Sequence, residues 1–141
     1  MEKLNEKMND LMDERFGKDS LISLATAVQN VPFVRTVNAC YKNGAFYVIT
    51  YALSGKMQQI GKNPQVALAG DWFTARGTGV SLGYVKKPEN AALFAWLRNM
   101  FAAWIDNGHN NFDDENTVIL KIVLTEGVLF HQGVRYEISF S

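Results

Sequence analysis

Residues 32–72 read PFVRTVNACYKNGAFYVITYALSGKMQQIGKNPQVALAGDW, and the order of elements in this stretch decides the fold. Pro32 opens a strand, a place where a missing N–H donor is tolerated. Along it Arg35, Val37, Ala39 and Tyr41 share one face, and Val34, Thr36, Asn38 and Cys40 the other. Lys42-Asn43-Gly44 is a hairpin turn in which Asn-Gly supplies positive φ, and Ala45–Tyr51 returns antiparallel. Phe46–Tyr51 is apolar or aromatic on both faces, so this strand needs cover on both sides, from the rest of the chain or from a second copy of it. Gly55–Gly61 reads as a short helix stopped by Asn63-Pro64, and Val66–Ala69 as the next strand. The hairpin brings Arg35 toward Ser54, Gly55 and Lys56. An Arg fork, a Lys point charge and a hydroxyl at the end of a sheet are the parts of a phosphate site. Two solvated surface charges are the alternative reading.

On the N-terminal side, Leu4, Met8, Leu11 and Met12 mark one face of a helix over residues 3–15, ended by Gly17. Leu21–Val28 is a strand and Gln29-Asn30 a turn. On the C-terminal side, Phe73–Val85 is a long strand whose one face is mostly small: Ala75, Gly77, Gly79, Ser81 and Gly83. Tight barrel curvature or close approach of a ligand would each explain it. Pro88 can start a helix in which Leu93, Trp96, Leu97, Met100, Phe101 and Trp104 recur with helical spacing, leaving it apolar nearly all round. A polar loop over 106–116 follows. Thr117–Thr125 is an apolar strand, Glu126-Gly127 a kink, Val128–His131 its continuation, and residues 134–140 a half-exposed last strand. The expected architecture is mainly β: one domain, residues 1–141, forming a small antiparallel barrel with flanking helices, residues 1–16 being the N-terminal one.

Equal numbers of basic and acidic residues, 14 each, argue against a general nucleic-acid or membrane-surface binder. The single cysteine, Cys40, excludes an internal disulfide. The N-terminus is polar and no apolar run is long enough to span a bilayer, so a cytoplasmic protein with no membrane partner is expected. His109, His131 and Cys40 lack metal-ligand spacing; His109 with Asp113 and Asp114 reads as a solvated loop. Gly77-Thr78-Gly79 lies inside a strand and is no dinucleotide fingerprint, and no Gly-x-Ser-x-Gly elbow occurs, so no catalytic residue is assigned.

Taken together, Pro32-x-x-Arg35-x-Val37, Thr50-x-x-x-Ser54-x-Lys56-x-x-Gln59-Ile60, Asn63-Pro64-x-Val66-x-Leu68 and Trp72 closely resemble the pyridoxamine 5′-phosphate oxidase-like family, the FMN-binding split β-barrels. The resemblance is good over about residues 20–85 and in outline elsewhere. It implies a six-stranded antiparallel split barrel that works as a homodimer, with FMN between the subunits and a small-molecule substrate or electron donor. It assigns the FMN phosphate to Arg35, Ser54 and Lys56, with Gln59 in the same motif. Ile49 and Thr50, and backbone near Val37 and Asn38, would lie along the flavin. Trp72 and Thr78 would reach the partner's cofactor. The departures are specific. Family oxidases carry a Lys where this chain has Cys40, and a flavin-contacting Gln where it has Thr78. Their substrate-phosphate helix has a Tyr; here only Arg98 corresponds. Their C-terminal Trp- and Arg-containing segment has no counterpart before Ser141. The resemblance thus implies an FMN flavoprotein, an oxidoreductase that is not an efficient vitamin oxidase. A flavin or haem binding or sensing protein without turnover is the alternative.

Overall fold

The computed structural model describes residues 1–141. In chain order the elements are β1 (Glu2–Lys3), α1 (Glu6–Phe16), β2 (Ser20–Val28), β3 (Val31–Lys42), β4 (Ala45–Tyr51), α2 (Gly55–Lys62), β5 (Gln65–Gly70) and β6 (Phe73–Tyr84). A 3-10 turn (Pro88–Asn90), α3 (Ala91–Met100), β7 (Thr117–His131) and β8 (Val134–Ser139) complete them. Strands β7, β4, β3, β2, β5 and β6 close on themselves in that order, all antiparallel, into the expected six-stranded barrel. β8 extends the sheet from the far half of β7, and the two-residue β1, which sequence reasoning missed, joins β8 in parallel.

Local chemistry sets the turns. Gln29-Asn30, Asn43-Gly44 and Gln132-Gly133 all have positive φ at both positions, the twist that joins adjacent antiparallel strands. β7 is continuous. Arg76 pairs with Glu126 and Gly77 with Leu124, so Thr125 is an extra residue, a bulge whose hydroxyl donates to Arg76 O at 3.1 Å. The bend expected at Glu126-Gly127 sits one residue earlier. It lets β7 leave β4 at Val123 and take β8 from Glu126.

Inside the barrel lie Ile22, Leu24, Tyr41, Phe46, Leu68, Phe73 and Ile122. Helix α1, capped by Asn5 whose side chain accepts from Met8 N at 2.9 Å, closes one end with Met8, Met12 and Phe16. Helix α2 closes the other with Met57 and Ile60. The small residues of β6 serve this closure. A Cβ on Gly79 would stand 2.9 Å from Ile60 Cγ2, and one on Gly77 would stand 2.6 Å from Val123 O. Curvature and helix packing account for Gly77 and Gly79.

Helix α3 lies on the outer face of the sheet. Phe94 and Leu97, with Phe101 and Ile105 just beyond, bury Cys40, Ile49 and Ile119. Trp96 stands edge-on to Tyr47 with centroids 6.0 Å apart. From Ala45 to Ile49 both faces of β4 are therefore covered within one chain, which leaves only Tyr51 of that strand exposed for a second copy to cover. Regular helix ends at Met100, the residues to Asp106 forming turns, and Ala91, Ala92, Ala95, Arg98 and Asn99 are exposed. The helix is apolar on one side and alanine-rich on the other, not apolar all round as its large side chains suggested. No helix is long and apolar enough to cross a membrane.

Candidate functional site

The barrel is split between β3 and β4. These strands pair only where Cys40–Lys42 meets Ala45–Tyr47. Beyond that point Val31–Ala39 keeps β2 as its one neighbour and Val48–Tyr51 keeps β7. Two strand edges thus diverge and leave unpaired backbone donors and acceptors facing a cleft. Helix α2 begins at the wide end of the cleft.

Three side chains from three elements meet there. Arg35 Nη1 donates to Leu24 O at 3.2 Å and to Thr26 Oγ1 at 2.9 Å, and Nη2 donates to Gln59 Oε1 at 2.5 Å. The Thr26 hydroxyl donates to the same Gln59 oxygen at 2.7 Å. Thr26 is buried and sequence reasoning passed over it. The available signal was a polar residue on the strand face that carries Ile22 and Leu24. With its oxygen held by Arg35 and Thr26, Gln59 has its amide N–H groups free near Gly55 in the first turn of α2.

Lys56 donates to Thr50 Oγ1 at 2.5 Å, joining α2 to the end of β4. Ser54 caps α2 by accepting from Met57 N at 3.3 Å, and its hydroxyl proton stays free to donate. Burial lowers the pKa of the Lys56 ammonium below the ordinary lysine value, and the positive charge of Arg35 lowers it further. Burial lowers Arg35 as well. No carboxylate compensates either group: the ion pairs of the chain are Arg76–Glu126, Lys86–Asp113, Arg98–Asp106 and Arg135–Glu137, and the first turn of α2 holds no acid. Two part-buried cations that repel each other, beside a helix N-terminus and a free hydroxyl, fit a bound dianion.

The other sequence-predicted contacts divide. Ile49 and Thr50 border the cleft, and Val37 lies on its β3 edge. The side chain of Asn38 is committed elsewhere: it donates to Asp19 Oδ1 at 2.9 Å, while Trp104 Nε1 donates to Asp19 Oδ2 at 3.0 Å. Only the backbone of Asn38 is left for the cleft. Thr78 lies on the outer side of β6, paired with Gln65 and Val123, and shares no hydrogen bond with the Arg35 cluster. Trp72, 71% exposed, sits in the β5–β6 turn with φ +50° and packs edge-on to Phe130. Within one chain neither residue belongs to the cluster. No group of three or more His, Cys, Asp or Glu is placed to hold a metal ion.

The sequence profile of pyridoxamine 5′-phosphate oxidase matches residues 8–130, most of the chain. The chain belongs to the pyridoxamine 5′-phosphate oxidase family. Solved structures with the same fold include a FAD-binding protein from Mesorhizobium loti, 14% identical, with 88% of this chain and 92% of that one aligned at a TM-score of 0.67. A protein related to general stress protein 26 from Clostridium acetobutylicum is 13% identical, with 96% of each chain aligned at 0.64. A heme binding protein from Mycobacterium smegmatis is 14% identical, with 87% of this chain and 54% of that one aligned at 0.66. A search of curated protein sequences gives no match. Within the family, the positions where this oxidase-like chain departs are occupied structurally. Cys40 is fully buried under α3, and Arg98 is bound to Asp106 at 2.8 Å and lies over Phe94 and Phe112.

Proposed function

We propose that this chain is an FMN-binding flavoprotein, an oxidoreductase acting on a small molecule. The observation that carries the reading is the pair Arg35 and Lys56, two half-buried cations at the split with no carboxylate partner. Arg35, Ser54, Lys56 and the Gln59 amide would hold the phosphate of the cofactor. The divergent edges of β3 and β4, with Val37, Asn38, Ile49 and Thr50, would offer backbone and hydroxyl contacts to its ring. Bound flavin supplies the electron transfer; the protein supplies binding, orientation and electrostatics. Vitamin oxidation is a poor fit. Cys40 stands where the family carries a Lys, and Arg98 is engaged with Asp106, so transition-state binding of a substrate phosphate at these two positions is weak.

A second copy completes the site in this proposal. Val31, Phe33 and Val34 on β3, Tyr51 at the end of β4 and Leu53 just beyond it are large apolar side chains exposed along the strands that border the cleft. A two-fold partner would cover them and could bring its own Trp72 or Thr78 to the flavin.

The heme binding neighbour favours one other reading, binding without turnover. The absorbance spectrum of the purified protein separates the two cofactors. Flavin bands near their free positions support the proposal, and a Soret band in their place contradicts it. Anaerobic photoreduction followed by re-oxidation with candidate acceptors then separates enzyme from sensor. Rapid turnover of pyridoxamine 5′-phosphate would contradict the exclusion of that substrate.

A further inference from the structure

A cleft beside the candidate flavin site shares Ile49 and Thr50 with it. It has a volume of about 480 Å³ and runs between the end of β4, at Ile49–Tyr51, and the polar loop that carries His109, Asn110, Asn111 and Asp114. The sequence reads this loop as solvated; the fold brings it back against the strand that carries two predicted flavin contacts. Turn geometry holds the loop in place. Asp114 Oδ1 accepts from Asn116 N at 2.9 Å, Asn111 Oδ1 accepts from Asp113 N at 3.1 Å, and the Thr117 hydroxyl donates to Asn111 O at 2.7 Å. The Asn110 amide donates to Ile105 O at 3.3 Å.

These bonds leave a defined set of free groups. The second oxygen of Asp114 and the Asn110 carbonyl oxygen are acceptors without partners, and the Asn111 amide is a donor. The His109 ring makes no hydrogen bond. Thr50 accepts from Lys56, so its own proton is free to donate. The formal charge on this lining is the Asp114 carboxylate, and no Lys or Arg lines the cleft. Tyr51 and Ile49 give one apolar wall.

We infer that this cleft is a recognition site for a small organic cation, planar and apolar in its body, whose positive head meets Asp114. A phosphate or carboxylate head would face the Asp114 carboxylate, and the nearest cation, Lys56, is engaged with Thr50 and assigned to the cofactor phosphate. This rests on the flavin reading only for the role of the bound molecule as substrate; the charge preference stands on the lining itself.

Benzamidinium, benzamide and benzoate share one planar shape and differ in head-group charge, so they test the inference directly. Each is titrated into the flavin-free and the FMN-loaded protein while the His109 ring and the Asn110 and Asn111 side-chain amides are followed by NMR. Benzamidinium is expected to give saturable shifts at these groups in both forms, and benzoate none. Asp114→Asn keeps an oxygen for Asn116 N, so the loop holds. It should weaken benzamidinium at least about tenfold and leave FMN affinity unchanged. Lys56→Ala should do the reverse, so failure of the flavin reading and failure of this one are told apart. Equal or tighter binding of benzoate, no saturable shift with benzamidinium, or a tenfold loss of FMN affinity in Asp114→Asn would each overturn the inference.

Discussion

Lys56 shows how a binding residue costs stability before its ligand arrives. Its pKa is lowered by burial and by Arg35, so in the folded state the charged form is disfavoured. An amine depressed in this way destabilises the fold while it is protonated, at neutral pH, and the penalty fades as pH rises through its folded-state pKa. Lys56→Met keeps the stem and removes the charge. It should raise the melting temperature of the flavin-free protein at pH 7 in low-salt, phosphate-free buffer, and the gain should shrink as pH rises toward the ordinary lysine value of 10.5. A lower melting temperature would show that the Thr50 bond outweighs the repulsion. Cys40 has the opposite sign. Burial first, then Asp13 and Asp19, push its thiol up to about 12, and burial does the same for the Tyr41 phenol. Their contribution is intact below the ordinary values and is lost as pH rises toward 12. Stability measured by urea should therefore fall between pH 9 and 12, less steeply in Cys40→Ala. A fall of the same steepness in that variant would assign it to other groups.

At the scale of elements, α2 is the part on which site and fold meet. It carries Ser54, Lys56 and Gln59 outward and packs Ile60 against Gly79 inward. Gly79→Ala meets a side chain at 2.9 Å and pushes on the helix; Gly77→Ala meets the Val123 carbonyl oxygen at 2.6 Å, which cannot yield without shifting β7. Overpacking of this kind costs about 1–3 kcal/mol. Gly77→Ala should be the more destabilising in urea, while Gly79→Ala should lose more FMN affinity than its stability change accounts for. Equal affinities in the two variants would remove α2 from the account. The barrel strands, the first two turns and α2 were legible in the sequence because each is set by local chemistry: alternation in β3, Asn-Gly at the hairpin, Asn63-Pro64 after α2. Thr26 was not, because its role exists only once β2 lies beside Arg35 and under Gln59. The cover of β4 by α3 was not, because Leu93 and Trp104 announce an apolar helix without saying what it meets. The His109 loop escaped for the same reason: nothing in Asn107–Asp114 says that it returns to Thr50.

For the molecule as a whole, a shared flavin site couples cofactor binding to association. The exposed apolar side chains beside the cleft, Phe33 and Val34 at 40% and 72% exposure and Leu53 at 59%, would be covered by a second copy. If FMN binds only the dimer, it strengthens association by mass action. Sedimentation over a dilution series should show dimers persisting to lower concentration with FMN than without it; a monomer that keeps stoichiometric FMN at the highest dilution would rule out sharing. The central claim is narrower, that Arg35 and Lys56 form a phosphate grip. Riboflavin has the same ring as FMN and no phosphate. Fluorescence titration of both flavins into the parent protein and Lys56→Ala tests the claim most directly. Hydrogen bonds to charged groups contribute about 1.5–3 kcal/mol, which is at least about tenfold in affinity. The account predicts that Lys56→Ala loses at least that factor for FMN and almost nothing for riboflavin. Equal losses for the two flavins, or none for either, would contradict it.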